Sequence, residues 1–128
     1  DYVYYLGRRP KQLLHSLYLT EFHRELHKIS KIVRFQREYT CGNLVADGFA
    51  AFAIKGRGYI AFIEVQTRNY PLDTGKYRQL LLSGVWKEHF PVFPVVIAIT
   101  DHALTEQDYK LVRIGFDLDL SPIREVIQ

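Results

Sequence analysis

Cysteine and methionine are almost absent from this sequence. Its 128 residues include one cysteine and no methionine. Since a disulfide needs two cysteines, Cys41 cannot form one within the chain, and the disulfide frameworks of small secreted domains are excluded. We expect Cys41 to be a small packing residue and the protein to be cytoplasmic. The absence of methionine, even at position 1, predicts that the chain is a piece of a longer protein.

Long apolar runs are also missing. A membrane-spanning helix needs roughly 20 consecutive apolar residues, whereas the longest apolar stretch here, Val92 to Ile99, is interrupted by Pro94. The first residues, Asp-Tyr-Val-Tyr-Tyr, contain neither the basic segment nor the long apolar segment of a signal peptide. We therefore expect no membrane association.

The composition is that of one globular domain. Hydrophobic residues make up 48% of the chain and charged residues 24%, a balance that excludes disordered, collagen-like and coiled-coil chains. At this length, folding buries roughly two thirds of the extended-chain surface, so one core suffices without covalent staples. We expect a single domain over residues 1–128. The net charge of +3 permits nucleic-acid binding but does not require it.

Four basic residues are candidates for contacting a DNA backbone. Arg8 and Arg9 precede a proline, and Lys55 and Arg57 flank Gly56 at an expected hairpin tip. Cations bind phosphates whatever the base sequence, so these residues would hold DNA without reading it. An ordinary solvated charged surface is the alternative, and the sequence leaves both open.

Hydrophobic periodicity predicts a mixture of helices and strands. Leu19, Phe22 and Leu26 recur at three- and four-residue spacing, which is typical of an amphipathic helix. Later segments are alternating or β-branched, and glycines between two of them indicate an antiparallel hairpin. We expect strands near 2–6, 32–39, 45–54, 59–67, 95–100 and 113–118, and helices near 11–30, 74–90, 105–112 and from 121. This order predicts an α/β fold in which a mixed β-sheet is flanked by helices.

Two carboxylates are predicted to meet at one end of this sheet. Strand residues two apart share a face, so Glu64 and Gln66 should point the same way, and hairpin pairing brings Asp47 beside them. Mg²⁺ prefers oxygen ligands, and two carboxylates together with phosphate oxygens of a substrate would hold it. A metal in this place can polarise a scissile phosphate and activate a water. Lys76, on the next expected helix, could bring an ammonium group to the same spot.

Several short motifs in this order resemble a known family. They are Tyr4-Tyr5-Leu6-Gly7, His15-Ser16-Leu17, Thr20-Glu21-Phe22, Asp47-Gly48, Phe62-Ile63-Glu64 and Lys76. Over residues 2–101 the chain resembles the replication-relaxation family of plasmids and mobile elements, within the PD-(D/E)XK nuclease superfamily. The resemblance implies a restriction-endonuclease-like core downstream of a DNA-binding domain. It also implies DNA as the partner and a role in the replication or maintenance of a plasmid, phage or other mobile element.

The resemblance also implies roles for particular residues. Asp47 and Glu64 would be the ligands of Mg²⁺ or Mn²⁺, and either Glu21 or Glu25 would be the acid of the first helix. Gln66 stands where the superfamily usually has a lysine. Glutamine lacks the positive charge that stabilises the transition state, and Lys76 would supply it, as migrated lysines do elsewhere in the superfamily. The predicted catalytic set is therefore Asp47, Glu64, Gln66 and Lys76 of a metal-dependent DNA endonuclease.

Structural roles for the same residues remain open. Asp47 would then shape a turn before Gly48, Glu64 would pair with an arginine such as Arg68, and Lys76 would be an exposed helix lysine. A nuclease-like fold also serves without catalysis, because fold does not imply function. A non-catalytic module that binds DNA or another protein is therefore the second hypothesis. A regulatory homodimer formed through exposed aromatic residues is the third.

Overall fold

A computed structural model of the chain describes residues 10–67 and 73–126. The helices are α1 (Pro10–Ile29), α2 (Gly75–Ser83) and α3 (Ser121–Val126), with a 3₁₀ helix at Val85–Glu88. The strands are β1 (Lys31–Cys41), β2 (Leu44–Ile54), β3 (Arg57–Val65), β4 (Val95–Ile99) and β5 (Leu111–Ile114). The expected strand at 2–6, together with Arg8, Arg9 and Arg68, lies outside the described residues.

The strands form one five-stranded sheet in the order β1-β2-β3-β4-β5. The first three strands are antiparallel neighbours, whereas β4 and β5 run parallel to β3. The predicted α/β class and mixed sheet are therefore confirmed. Because β2 and β3 are antiparallel, the start of β2 lies beside the end of β3. This arrangement brings the start of β2 to the edge at which the parallel strands β3, β4 and β5 end.

Helices cover both faces of the sheet. Leu19, Phe22 and Leu26 of α1 pack with Ile123 of α3 on one face, and Tyr77 and Leu80 of α2 pack on the other. Alternation along β3 sends Ala61, Ile63 and Val65 to the α1 face and Phe62 to the α2 face. Glu64 follows the same alternation as Phe62, so its side chain is directed towards α2. Among the described residues, no helix is both long and apolar enough to cross a membrane.

Three expected elements differ in the structure. The strand expected at 113–118 is β5 and occupies Leu111–Ile114, so residues 115–118 are not strand. The helix expected at 105–112 is wrong: residues 103–107 have no regular structure and β5 begins at Leu111. Tyr109 is buried on the α2 face and Val112 on the α1 face, an alternation that a strand satisfies and a helix does not. Pairing with β4 includes a 2.9 Å bond from Val96 N to the Lys110 carbonyl oxygen.

The second expected helix is shorter than its apolar pattern indicates. It ends at Ser83 because Gly84 adopts a left-handed conformation with φ of 74°, which favours glycine and terminates helices. The chain continues as the 3₁₀ helix Val85–Glu88 instead of reaching residue 90 as α-helix.

Candidate active site

The Asp47 side chain forms a hydrogen bond across the open end of the β2–β3 hairpin. The last paired residues of the hairpin are Gly48 and Ile63, so the next position places Asp47 opposite Glu64. Asp47 Oδ2 accepts a 2.8 Å hydrogen bond from the backbone N–H of Val65. Its Oδ1 lies 3.9 Å from Nδ1 of His15 on α1, and 28% of the side chain is exposed. The carboxylate is therefore held in place and is open to solvent on one side.

Glu64 is the buried member of the carboxylate pair. Its side chain is 7% exposed, and its Oε1 lies 2.6 Å from Nζ of Lys76. The same oxygen accepts a 2.5 Å hydrogen bond from the hydroxyl of Tyr77. Two consecutive residues of α2 therefore hold one oxygen of Glu64.

The surroundings of Glu64 shift the pKa of its carboxyl group. Burial, and next the nearby charge of Asp47, raise the pKa of Glu64 to about 7, although Lys76 and Tyr77 oppose this rise. Near neutral pH a substantial fraction of Glu64 is therefore protonated. A cation between the two carboxylates would favour the ionised form of both. Carboxyl groups with pKa values shifted in this way are common at functional sites.

The Tyr77 hydroxyl is protonated at neutral pH. Burial, followed by the charge of Glu64, raises the pKa of its hydroxyl far above the usual value. A neutral phenol donates a hydrogen bond to the carboxylate and carries no negative charge that would repel the carboxylate. Tyr77 is fully buried, so its hydroxyl position is fixed by the packing of α2 against the sheet.

We expect Tyr77→Phe to raise the pKa of Glu64 above its wild-type value. The hydroxyl stabilises the ionised carboxylate, and hydrogen bonds to charged groups contribute about 1.5–3 kcal/mol. The free energy of unfolding at pH 8, measured with urea, should fall by a similar amount. Carbon-13 NMR of the Glu64 carboxyl group reports its pKa directly.

Tyr109→Phe is the matched control for this prediction. It removes a buried hydroxyl that donates to the Thr74 carbonyl oxygen at 2.9 Å, so it should reduce stability without moving the Glu64 titration. A Glu64 titration that is identical in Tyr77→Phe and wild type would contradict the role assigned to the hydroxyl.

The structure places the predicted site residues in three regions: the end of β3, the tip of the β2–β3 hairpin and helix α1. Lys76 contacts Glu64 near the end of β3, and Asp47, in the position opposite Glu64, is close enough for its charge to raise the Glu64 pKa. Gln66 follows β3 at the same edge, where its backbone N–H donates to the Ile99 carbonyl oxygen at 2.9 Å. The expected DNA contacts Lys55 and Arg57 lie at the other end of the hairpin. Lys55 lies eight positions after Asp47, about 26 Å along extended strand.

The candidate acids of α1 are paired with basic neighbours on the same helix. Glu21 lies 3.6 Å from Arg24, and Glu25 lies 2.7 Å from Lys28. The α1 side chain that reaches towards Asp47 is His15.

His15 and Tyr77 were missed as site residues by the sequence interpretation. His15 precedes Leu19 by four positions and lies in line with the apolar stripe of α1. A polar residue in an apolar stripe indicates that its side chain has a polar partner on the sheet against which the helix packs. Tyr77 was assigned to the apolar stripe of α2. Its hydroxyl could have indicated a polar partner, because a buried tyrosine hydroxyl usually forms a hydrogen bond.

No family model, curated protein or solved structure matches the chain. Among the described residues, no cluster of three or more His, Cys, Asp or Glu side chains is arranged to hold a metal. The donors at this edge are two carboxylates, which is the set that Mg²⁺ accepts when waters and substrate oxygens complete its coordination. These donors are of the chemical type that Mg²⁺ and Mn²⁺ bind.

Proposed function

We propose that this chain is a nuclease-like domain that hydrolyses DNA with Mg²⁺ or Mn²⁺ bound by Asp47 and Glu64. Its role would be in the replication or maintenance of a plasmid, phage or other mobile element. The observation that carries the proposal is the 2.6 Å contact between Lys76 Nζ and Glu64 Oε1. It joins a cation to the carboxylate pair although Gln66 stands at the usual lysine position.

Each side chain has a task in the proposed reaction. Asp47 presents its carboxylate from a position fixed by the Val65 N–H, and Tyr77 keeps Glu64 oriented by donating to Oε1. The Lys76 side chain is 33% exposed, so its ammonium can contact a phosphate and stabilise the charge that develops there. A bound metal would polarise the scissile phosphate and lower the pKa of the attacking water.

The order of elements supports a restriction-endonuclease-like core. A helix precedes three antiparallel strands, the acids lie on the second and third strands, and a helix then leads to a parallel strand. This is the succession of elements and acids on which the resemblance to the PD-(D/E)XK superfamily rests.

The proposal is tested by incubating the purified chain with supercoiled and branched DNA. We expect cleavage in Mg²⁺ or Mn²⁺ and none when a chelator is added, because the carboxylates alone cannot activate water at this site. Gel analysis of nicked and linear products is the measurement. Cleavage that persists in chelator, or its absence with both metals, would contradict the proposal.

Gln66 favours a second candidate function. Without a lysine at that position, the site supports a non-catalytic module that binds DNA or another protein. This alternative predicts salt-sensitive DNA binding that is indifferent to chelator and to substitution of Asp47 or Glu64. The regulatory homodimer instead predicts a mass that rises with concentration in sedimentation experiments and no direct DNA contact.

A further inference from the structure

A cleft of about 390 Å³ opens beside Lys76. One wall is formed by Asn43, in the turn between β1 and β2, and by Leu44 and Val45 at the start of β2. The other wall is formed by Gln79 of α2 and by Val85, which follows that helix. Lys76 belongs to this cleft and also contacts Glu64 at 2.6 Å. Lys76 is therefore shared between the cleft and the ion pair with Glu64.

The walls of the cleft are built by close packing. Gly42 has a φ of +59°, and a Cβ placed there would lie 3.2 Å from Cγ1 of Val85. Leu44 and Leu80, at the floor, are 6% and 5% exposed and belong to the core beneath α2. The turn and the end of α2 are held against each other, so the cleft is a fixed feature of the surface.

The lining is suited to an anionic ligand. It includes Lys76, whose ammonium pairs with Glu64, and no carboxylate residue. A larger cleft, of about 610 Å³, includes Glu106 and Asp108 together with Lys110 and Arg113, so its formal charges balance, whereas Lys76 gives the smaller cleft a net positive lining. Of these two clefts, the one beside Lys76 is therefore the better match to a nucleic-acid strand.

The side chains of the smaller cleft are also suited to a nucleobase. Val45 and Val85 are 54% and 36% exposed and offer aliphatic contacts to the faces of a ring. Asn43 and Gln79 are exposed amides, which can both donate to and accept from the edge of a base. A volume of about 390 Å³ lies within the range of pockets that hold small ligands.

We propose that this cleft binds one unpaired nucleotide next to the phosphate at the carboxylate pair. The inference rests on the proposed function, because Asp47 and Glu64 set the position of that phosphate. The base would lie between Val45 and Val85, with its edge against Asn43 and Gln79. A base can enter such a cleft only after it leaves its stack and its pairing partner. The substrate class is therefore DNA with an unpaired segment, either single-stranded or branched.

Val45→Trp tests the proposal by filling the cleft. Val33→Trp is the matched control: Val33 is an exposed strand valine at 73% exposure that lies near the far end of β1. The probe is a fluorescent six-nucleotide single strand, titrated in chelator so that no cleavage occurs and followed by anisotropy. We expect Val45→Trp to weaken binding about tenfold or more, which corresponds to the contacts of about one nucleotide. Val33→Trp should bind as the wild type does.

Gln79→Ala provides a second, less disruptive test. Removing one amide should reduce the difference in affinity among oligonucleotides of different base composition while the mean affinity changes little. Wild-type protein should also bind the single strand more tightly than the same sequence in a duplex. Equal binding by Val45→Trp and wild type, or a wild-type preference for the duplex, would overturn the proposal.

Failure of this inference is distinguishable from failure of the proposed function. Mn²⁺ binding at the carboxylates is measured separately on the same variants. Loss of oligonucleotide binding in Val45→Trp without Mn²⁺ binding by the wild type would support the cleft and contradict the metal site. Mn²⁺ binding together with unchanged oligonucleotide binding in Val45→Trp would overturn the cleft alone.

Discussion

Asp47→Asn is expected to reduce metal-dependent DNA cleavage about 100-fold or more while the fold is retained. Asparagine keeps an oxygen that can accept the 2.8 Å hydrogen bond from Val65 N–H, so the hairpin end stays closed. What is lost is the negative charge that would help to hold the metal. Metal ions contribute several kcal/mol of charge stabilisation in the transition state, and each 1.4 kcal/mol is about tenfold in rate.

The control for this variant is Glu106→Gln, which removes an exposed carboxylate from the larger cleft. It should cleave DNA at the wild-type rate. For Asp47→Asn, the melting temperature in chelator should be no lower than that of the wild type, because loss of the Asp47 charge removes one cause of the raised Glu64 pKa, and the DNA affinity in chelator should not fall. Full cleavage by Asp47→Asn would contradict the assignment of Asp47. So would loss of activity that merely follows loss of the folded state.

Glu64→Gln is expected to make the metal-free protein more stable at neutral pH. The ordinary pKa of 4.5 is raised to about 7 in the folded state, so the folded protein retains a proton that the unfolded chain releases. The free energy of unfolding of the wild type therefore falls as the pH rises from 4.5 to 7. A shift of this size corresponds to about 3 kcal/mol. Glutamine does not titrate, and Tyr77 can still donate to its oxygen.

Urea unfolding of both proteins at several pH values between 4.5 and 8 measures this effect. The stability of Glu64→Gln relative to wild type should increase by about 3 kcal/mol across that range, since the other titrating groups are common to both. Glu25→Gln, which alters the surface pair with Lys28, should show no comparable trend. A difference between Glu64→Gln and wild type that is independent of pH would contradict the buried, shifted carboxyl group.

The two variants together would separate function from stability. A buried carboxyl group near another carboxylate destabilises the metal-free fold, and this cost is removed when a divalent cation binds. We therefore expect Mg²⁺ to stabilise the wild type at pH 7.5 and to leave Glu64→Gln and Asp47→Asn nearly unchanged. Binding to the native state alone raises stability in this way.

The meeting of Asp47 and Glu64 could be predicted because it depends on local rules. Alternation along a strand and the antiparallel pairing of a hairpin joined by Lys55-Gly56-Arg57-Gly58 fix which residues are neighbours. The α/β class followed from the same patterns. These steps needed no knowledge of how helices pack on the sheet.

The reach of Lys76 could not be predicted from its position in the sequence. Its distance from Glu64 depends on where α2 begins and how closely that helix packs over β3. For the same reason, the roles of His15 and Tyr77 at the site could not be predicted. Both positions belong to apolar helical stripes, whereas their polar atoms face the site. In each case the decisive contact joins a helix to a strand, and periodicity describes only one element at a time.

The failed helix at 105–112 has a different cause. Thr105 and the acidic residues after it have the composition of a helix N-terminus. Parallel pairing of β5 with β4 and burial of Tyr109 and Val112 on opposite faces favour a strand instead. Tertiary packing prevailed over local capping chemistry.

The most direct test of the central claim is a Mn²⁺ titration followed by NMR. Paramagnetic Mn²⁺ broadens nearby resonances, so a metal between Asp47 and Glu64 should first broaden the backbone amides of Val65 and of residues 46–48. Asp47→Asn should lose this broadening while its spectrum remains that of a folded protein. Broadening confined to other parts of the chain, or unchanged in Asp47→Asn, would contradict a metal site at this end of the sheet.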